Sequence, residues 1–131
     1  MDLTRRRALA AGAAAGVFAA FPVAAMARAG RLPQLFIFDA RFAPSRDAAR
    51  HMASLGVATL DPRVRDLGVA WREDIAPMVA QGNNSLAGMT LWSDRLICET
   101  FAREHGLSLE ELSGGQGQAE LPHGLSHWAL A

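Results

Sequence analysis

Leu35-Phe36-Ile37-Phe38-Asp39 is the stretch around which this chain is organised. It is a short, continuously apolar run, partly aromatic and β-branched, that ends on a carboxylate. A helix-like segment follows it closely. A strand covered by helices on both faces shows no alternation of apolar and polar residues. The run therefore predicts the central strand of a small, open sheet.

The residues that follow this strand predict a helix over 44–55. Pro44 fits the first helical turn, where its missing N–H would have no partner in any case. Ala48 and Met52 are four residues apart and begin one apolar face. Gly56 suits the left-handed turn that ends a helix.

Two further strand–helix units follow. Residues 57–61 predict a second parallel strand, and residues 85–90 predict a third. Between them, Asp66 is a suitable N-cap for a helix that Pro77 kinks or breaks in two. The apolar positions of this helix recur at helical spacing at Trp71, Ile75, Met78 and Val79.

Residues 92–105 have the most regular helical pattern in the chain. Ser93 and Asp94 suit the N-terminus of this helix. Residues 107–112 contain a fourth, half-exposed strand, and residues 125–130 alternate weakly, as an edge strand would. The predicted buried stripe of the helix consists of Leu96, Ile97, Thr100 and Phe101.

These elements predict an α/β fold with one small domain. Three strand–helix pairs give a right-handed, mostly parallel sheet with about three helices, arranged as a three-layer sandwich. The expected strand order is 2-1-3-4, with the last strand added at an edge and antiparallel. This arrangement resembles a trimmed flavodoxin-like sheet, and the resemblance is one of architecture only.

The N-terminus carries an export pattern. Arg5, Arg6 and Arg7 precede a run of weakly apolar residues, 8–25, that is rich in Ala and Gly. Ala25-Met26-Ala27 then supplies the small residues of a cleavage site. The stretch Thr4-Arg5-Arg6-Arg7-Ala8-Leu9-Ala10 resembles a twin-arginine (Tat) signal peptide, although Ala8 stands where phenylalanine is usual and Ala10 where lysine is common.

This resemblance implies that residues 1–29 are a signal peptide and that residues 30–131 reach the periplasm already folded, through the Tat export machinery. Cleavage would follow Ala27 or Ala29. An uncleaved membrane anchor and a general secretory signal are the alternatives. A stable membrane span needs about 20 apolar residues, however, and this run is shorter and only weakly apolar.

Charge and cysteine content exclude several classes of protein. Residues 1–29 hold four arginines and one aspartate, which leaves nine arginines against twelve acidic residues and a formal charge of −3. A mildly acidic domain argues against a nucleic-acid partner. Cys98 is the single cysteine, so an internal disulfide is impossible, and we expect this thiol to be buried.

Polar residues at the predicted strand ends form the candidate site. The carboxyl ends of parallel strands meet at one edge of the sheet, where ligands of such folds bind. Paired carboxylates there could act as acid and base or hold a cation. Equally, such residues could simply cap the helices that follow. The candidate residues are Asp39, Arg41, Asp61, Thr90, Trp92, Asp94 and Arg95.

Motifs for cofactors and metals are absent from the sequence. The segment after the first strand lacks the glycines of a phosphate-binding loop, and no Gly-x-Ser-x-Gly elbow is present. His123 and His127 are four residues apart, but Pro122 and Gly124 argue against a helix that would bring them together. We therefore predict no cofactor and no metal. His51 and His105 are expected to be exposed, and the three tryptophans to be core or interface anchors.

Two functions remain open. The first is a non-catalytic periplasmic accessory subunit of a larger exported enzyme, which could be a redox enzyme, because Tat passengers include small proteins carried in complex with one. The second is a small-molecule-binding domain or hydrolase-like enzyme that uses the candidate site. A minimal cofactor carrier is disfavoured by the missing phosphate loop. The sequence favours the first.

Overall fold

A computed structural model describes residues 32–82, 85–112 and 121–131. The predicted signal peptide, residues 1–29, lies outside these described residues. Five strands form one sheet: β1 (Leu35–Phe38), β2 (Ala58–Leu60), β3 (Leu86–Thr90), β4 (Leu109–Glu111) and β5 (Ser126–Leu130). The helices are α1 (Ala43–Ser54), α2 (Leu67–Ala70), α3 (Ala76–Ala80) and α4 (Trp92–Arg103), with a π-helix (Trp71–Ile75) between α2 and α3 and a 3-10 turn (Pro122–Gly124) before β5.

The predicted parallel core is confirmed. β1 lies between β2 and β3 and runs parallel to both, with Leu35 paired to Ala58 on one side and to Leu86 on the other. Phe36 and Ile37 of β1 are fully buried. The continuous apolar run therefore does mark an interior strand that is covered on both faces.

The predicted position of the last strand is wrong. The sheet order is β2-β1-β3-β5-β4, so β5 lies inside the sheet, antiparallel to both β3 and β4, and β4 forms the edge. The sheet is consequently mixed rather than mostly parallel. The polar residues Ser126 and His127 give β5 the sequence pattern of a half-exposed edge strand, but both side chains are buried.

Gly88 explains how β5 packs against β3. It is paired with Trp128, whose indole lies across it, and a β-carbon at Gly88 would be 2.3 Å from Cζ2 of that ring. A glycine inside a strand often marks such a close approach. The sequence suggested close packing at Gly88, and the element it packs against is β5.

Apolar side chains form one layer on each face of the sheet, which confirms the three-layer α/β sandwich. α1 covers one face through Ala48, Ala49 and Met52, against Phe36, Ala87 and Met89. The other helices cover the opposite face, where the buried residues are Ile37, Leu67, Trp71, Ile75, Leu86, Cys98, Ala102, Leu107, Trp128 and Leu130.

The second helix is broken, as Pro77 predicts. Asp66 caps α2, and its side chain accepts a hydrogen bond from the backbone N–H of Val69 at 2.9 Å. The chain then passes through the π-helix before α3, in which Pro77 occupies the first turn. Proline lacks the N–H that a continuous α-helix would need at this point.

The predicted buried stripe of α4 is wrong in three of its members, because Leu96, Ile97 and Thr100 are exposed. The buried residues of the helix are instead Asp94, Cys98 and Ala102. Cys98 and Ala102 present little bulk toward the sheet, and Phe101 is the large apolar residue of the helix that packs against the core, beside Trp71. The burial expected for Cys98 is confirmed.

None of the helices in the described part of the chain combines the length and the apolar character that crossing a membrane requires.

Candidate functional site

The carboxyl edge of the sheet brings the predicted aspartates together. Asp39 directly follows β1 and Asp61 directly follows β2, and the two strands are parallel neighbours. Asp94 lies in the first turn of α4, which starts just after β3. α1 and α4 cover opposite faces, so the chain leaves β1 and β3 in opposite directions, which defines the switch point of such a sheet.

Asp39 is fully buried beneath Arg41. Its Oδ1 accepts hydrogen bonds from the Arg41 backbone N–H at 3.1 Å and from Nε at 2.9 Å, and its Oδ2 accepts one from Nη2 at 2.6 Å. The hydrogen bonds from the Arg41 side chain lower the pKa of Asp39 below its usual value despite burial. The carboxyl group is therefore ionised and fixed to Arg41.

Asp94 holds a second arginine that the sequence did not single out. Nη2 of Arg63 lies 3.1 Å from Oδ1 and 3.0 Å from Oδ2 of Asp94. The loop that carries Arg63 is set by Asp61, whose Oδ1 accepts a hydrogen bond from the Arg63 backbone N–H at 2.9 Å. An Asp-Pro-Arg turn after a strand is the local signal that points to this residue.

The two arginines are the solvent-facing part of this cluster. The side chains of Arg41 and Arg63 are 49% and 43% exposed, while Asp39, Asp61 and Asp94 are buried. Arg63 also contributes to the lowered pKa of Asp39, so the two ion pairs are close enough to interact. The edge thus carries three buried carboxylates under two exposed guanidinium groups.

Thr90 and Arg95 have hydrogen-bond partners outside the two aspartate–arginine pairs. The Thr90 hydroxyl accepts a hydrogen bond from Nε1 of Trp128 at 3.1 Å and donates one to the Leu91 carbonyl at 3.0 Å. Arg95 binds Glu111 at 3.0 Å and Ser126 at 3.3 Å, and so links α4 to β4 and β5. The polar groups of both residues are therefore used in hydrogen bonds that connect elements of the sheet and α4.

Aromatic side chains flank the arginines. The guanidinium of Arg41 lies 5.5 Å from the centroid of the Phe42 ring, which stacks at 5.5 Å on His123 from the turn before β5. His123 has a φ of 61°. Trp92, at the start of α4, is 59% exposed, so it is not a core residue, whereas Trp71 and Trp128 are buried.

His105 is exposed, as predicted, whereas His51 is not. His51 is buried on α1, although the sequence suggests an exposed residue, and burial lowers its pKa. His127 is fully buried on β5, edge-on to Phe36, and burial lowers its pKa to about 4. His123 and His127 therefore stand in different surroundings, one exposed and one in the core.

The carboxylates of Asp39 and Asp94 are occupied by arginine side chains. The oxygens of Asp39 and Asp94 accept hydrogen bonds from arginine, so neither carboxylate is poised as a proton carrier. Among residues 32–82, 85–112 and 121–131, no group of three His, Cys, Asp or Glu side chains is placed to hold a metal ion. Two sizeable grooves, of about 290 and 440 Å³, lie elsewhere, beside β2 and beside Trp71.

Comparison of the chain with protein-family models, with curated proteins and with solved structures finds no match. A function for the domain has to be inferred from its own sequence and geometry.

Proposed function

We propose that the domain is a non-catalytic accessory protein that binds a larger exported enzyme through one surface of α4. This surface, the α4 outer face, consists of Trp92, Leu96 and Ile97. The observation that carries the proposal is the solvent exposure of these three large apolar side chains, on a helix that packs only Phe101 of its large apolar residues against the core.

The exposure of the α4 outer face is large for apolar residues. Trp92, Leu96 and Ile97 are 59%, 40% and 41% exposed. Single exposed apolar residues are ordinary, but here three lie within two turns of one helix, and Trp92 and Leu96 are neighbours one turn apart. Tryptophan is among the residues most enriched at the energetic centres of protein interfaces. A partner that covers this patch would gain hydrophobic free energy.

The second candidate function, a small-molecule site or hydrolase-like enzyme at the strand ends, has weaker support. Its favourable feature is position, since Asp39 lies at the switch point between β1 and β3 and Asp61 follows the neighbouring strand β2. However, Asp39 and Asp94 each hold an arginine, and Thr90 is occupied by Trp128. Ligand sites are usually concave, and the grooves of about 290 and 440 Å³ lie beside β2 and beside Trp71 rather than over these aspartates.

The N-terminal segment supports an exported location for this function. Its resemblance to a Tat signal implies transport in the folded state, and small Tat passengers include proteins that travel in complex with an enzyme. The proposal is therefore a periplasmic accessory subunit, and a redox enzyme is one kind of partner it would serve.

Affinity purification of the full chain from the periplasm of its native host tests this function. The wild-type protein should retain one identified exported enzyme in constant proportion. The Leu96→Ser/Ile97→Ser variant should lose most of it, while Thr100→Ser, a conservative change of an exposed residue on the same helix, should retain it. A wild-type protein that purifies alone would refute the proposed function.

A further inference from the structure

We infer that the edge strand β2 binds an extended peptide of a partner protein, which adds a further strand to the sheet and presents an acidic side chain between two apolar ones. The inference is independent of the proposed function, because α4 packs against β3 and β5 whereas β2 lies at an edge of the sheet, beyond β1. It is carried by the backbone of β2 and by two grooves that flank this strand.

The outer side of β2 has no neighbouring strand in the described part of the chain. Residues 58–60 pair with β1 on one side, and no other backbone hydrogen bond involves them among the described residues. The outward-facing N–H and C=O groups of an edge strand can pair with another chain. Ala58 and Thr59 are exposed and small, so they leave the approach of such a strand open.

The two edges of the sheet differ in charge. β4 carries Glu110 and Glu111, both exposed, and charged side chains on an edge strand discourage pairing with another chain. β2 carries no charged residue. It is short, however, and three residues offer few backbone hydrogen bonds. Side chains of the peptide must therefore supply much of the affinity.

The groove on the face covered by α2 and α3 is suited to apolar side chains. It has a volume of about 290 Å³, is lined by Leu60, Ile75 and Met78 among others, and is named here the apolar groove. The charged residues that line it, Arg65 and Asp74, form an ion pair with each other. An apolar side chain that enters this groove therefore leaves no charge without a partner.

The groove on the face covered by α1 is positively charged. It has a volume of about 240 Å³, includes Arg46, Arg50 and Thr59 in its lining, and is named here the arginine groove. None of the described carboxylates lines it. Arg46 donates a hydrogen bond to the Ala40 carbonyl, and Arg50 pairs with Asp47 outside the groove. A carboxylate is the group that matches these guanidinium groups in charge and geometry.

The register of β1 and β2 places the two grooves on opposite faces of the same edge. Thr59 pairs with Phe36, and both lie on the face covered by α1. Leu60 pairs with Ile37, and both lie on the other face. Successive side chains of an added strand also point to opposite faces. One peptide residue would therefore enter the arginine groove and its two neighbours the apolar groove, which gives the pattern apolar–acidic–apolar.

A second copy of the chain fits this edge less well. Two copies paired through β2 would bring Thr59 to the arginine groove, and β2 has no carboxylate to offer. β4 does contain glutamates, but pairing β4 of one copy with β2 of the next is a head-to-tail contact that generates open filaments. A peptide of a different protein has neither restriction.

NMR titration of the purified, nitrogen-15-labelled protein tests the inference with a defined peptide. The probe is the acetylated and amidated peptide Ser-Thr-Val-Glu-Val-Thr-Ser. We expect it to shift the backbone amide signals of residues 58–60. Binding should be about fivefold weaker when glutamine replaces the glutamate, and weaker still when lysine does. Unmoved β2 signals, or equal affinities for the three peptides, would overturn the inference.

Backbone methylation of the peptide distinguishes strand addition from binding by side chains alone. Only alternate N–H groups of an added strand face the strand beside it. One peptide is methylated at the glutamate nitrogen and another at both valine nitrogens. One of the two should lose about tenfold or more in affinity while the other keeps it. Equal losses in both peptides, or no loss in either, would contradict an added strand.

Charge variants of the protein test the role of the arginine groove. Arg46→Gln/Arg50→Gln should bind the glutamate and glutamine peptides equally, because the groove then carries no charge. Arg72→Gln/Arg103→Gln is the matched control, since both arginines are exposed and neither lines a groove beside β2. A preference for glutamate that persists in the first variant or disappears in the second would refute the acidic contact. Self-association of the protein that competes with the peptide would assign β2 to a second copy and overturn the inference as well.

Discussion

At the scale of single residues, the aspartates of the carboxyl edge act as anchors for arginine. Asp39 accepts three hydrogen bonds from Arg41 alone, and Asp94 binds Arg63 with both oxygens. A buried carboxylate is costly unless it is paired and hydrogen-bonded. Each buried aspartate therefore contributes to stability only while its arginine is present. The two pairs also place two guanidinium groups at the surface of the domain.

Buried histidine makes the stability depend on pH. The pKa of His127 is lowered to about 4 by burial, from an ordinary value of 6.5. The unfolded chain therefore binds more protons than the folded domain between these values, and stability falls as the pH drops through them. Between pH 7.5 and 4.5, His127 alone should cost about 2–3 kcal/mol of the unfolding free energy.

Urea unfolding at the two pH values measures this loss, and His127→Gln should flatten the profile because it removes the titrating group. His51, whose pKa is also lowered by burial, acts in the same direction. Asp39 adds a further loss only in more acidic solution, near and below its ordinary pKa of 3.8. Equal unfolding free energies at both pH values would show that His127 does not reside in the core.

Gly88 gives a second prediction at this scale. Gly88→Ala places a methyl group 2.3 Å from Cζ2 of Trp128, so either the indole or the strand must move. We expect a loss of about 1–3 kcal/mol of unfolding free energy, the usual cost of overpacking. The double variant Gly88→Ala/Trp128→Phe should lose less unfolding free energy than the sum of the losses in the two single variants. If the losses simply add, Gly88 and Trp128 are not in contact.

At the scale of elements, α4 shows where a sequence pattern misleads. Its large apolar residues predicted the buried face, yet the sheet is met by Cys98 and Ala102. Ala102→Leu should therefore cost about 1–3 kcal/mol of unfolding free energy by overpacking. Ile97→Ser should change it by about 0.5 kcal/mol or less. Chemical denaturation of both variants measures these losses. A larger loss for Ile97→Ser than for Ala102→Leu would mean that Ile97 is buried, as the sequence pattern predicted.

Local chemistry explains why much of the fold could be predicted from the sequence. β1 is recognisable because its apolar run has no alternation, and the break in the second helix follows from a missing N–H at Pro77. The end of α1 coincides with the left-handed glycine Gly56, whose φ is 88°. These features depend on residues that are neighbours along the chain.

Tertiary contacts explain what the sequence could not provide. The interior place of β5 depends on Trp128 lying over Gly88, forty residues away, and nothing near Ser126 or His127 signals it. In the site, Asp39 and Asp61 were predicted from their strand ends. The contacts of Thr90 and Arg95 could not be predicted because their partners come from distant strands, and Arg63 was missed because its role depends on Asp94.

At the scale of the whole molecule, the proposal combines an export segment with a docking surface. The Arg5→Lys/Arg6→Lys variant should accumulate as precursor in the cytoplasm, because the twin arginines are what the resemblance to a Tat signal rests on. Cell fractionation with an antibody to the domain measures this. Undiminished export of the variant would contradict a Tat signal, and Arg28→Lys near the cleavage site serves as the control.

The most direct test of the central claim is the size at which the domain migrates in an untreated periplasmic extract. Size-exclusion chromatography followed by immunodetection should find the wild-type domain in a complex much larger than itself. The Leu96→Asp/Ile97→Asp variant, equally well folded by circular dichroism, should elute as the free domain. A wild-type protein that elutes as the free domain would contradict docking through the α4 outer face.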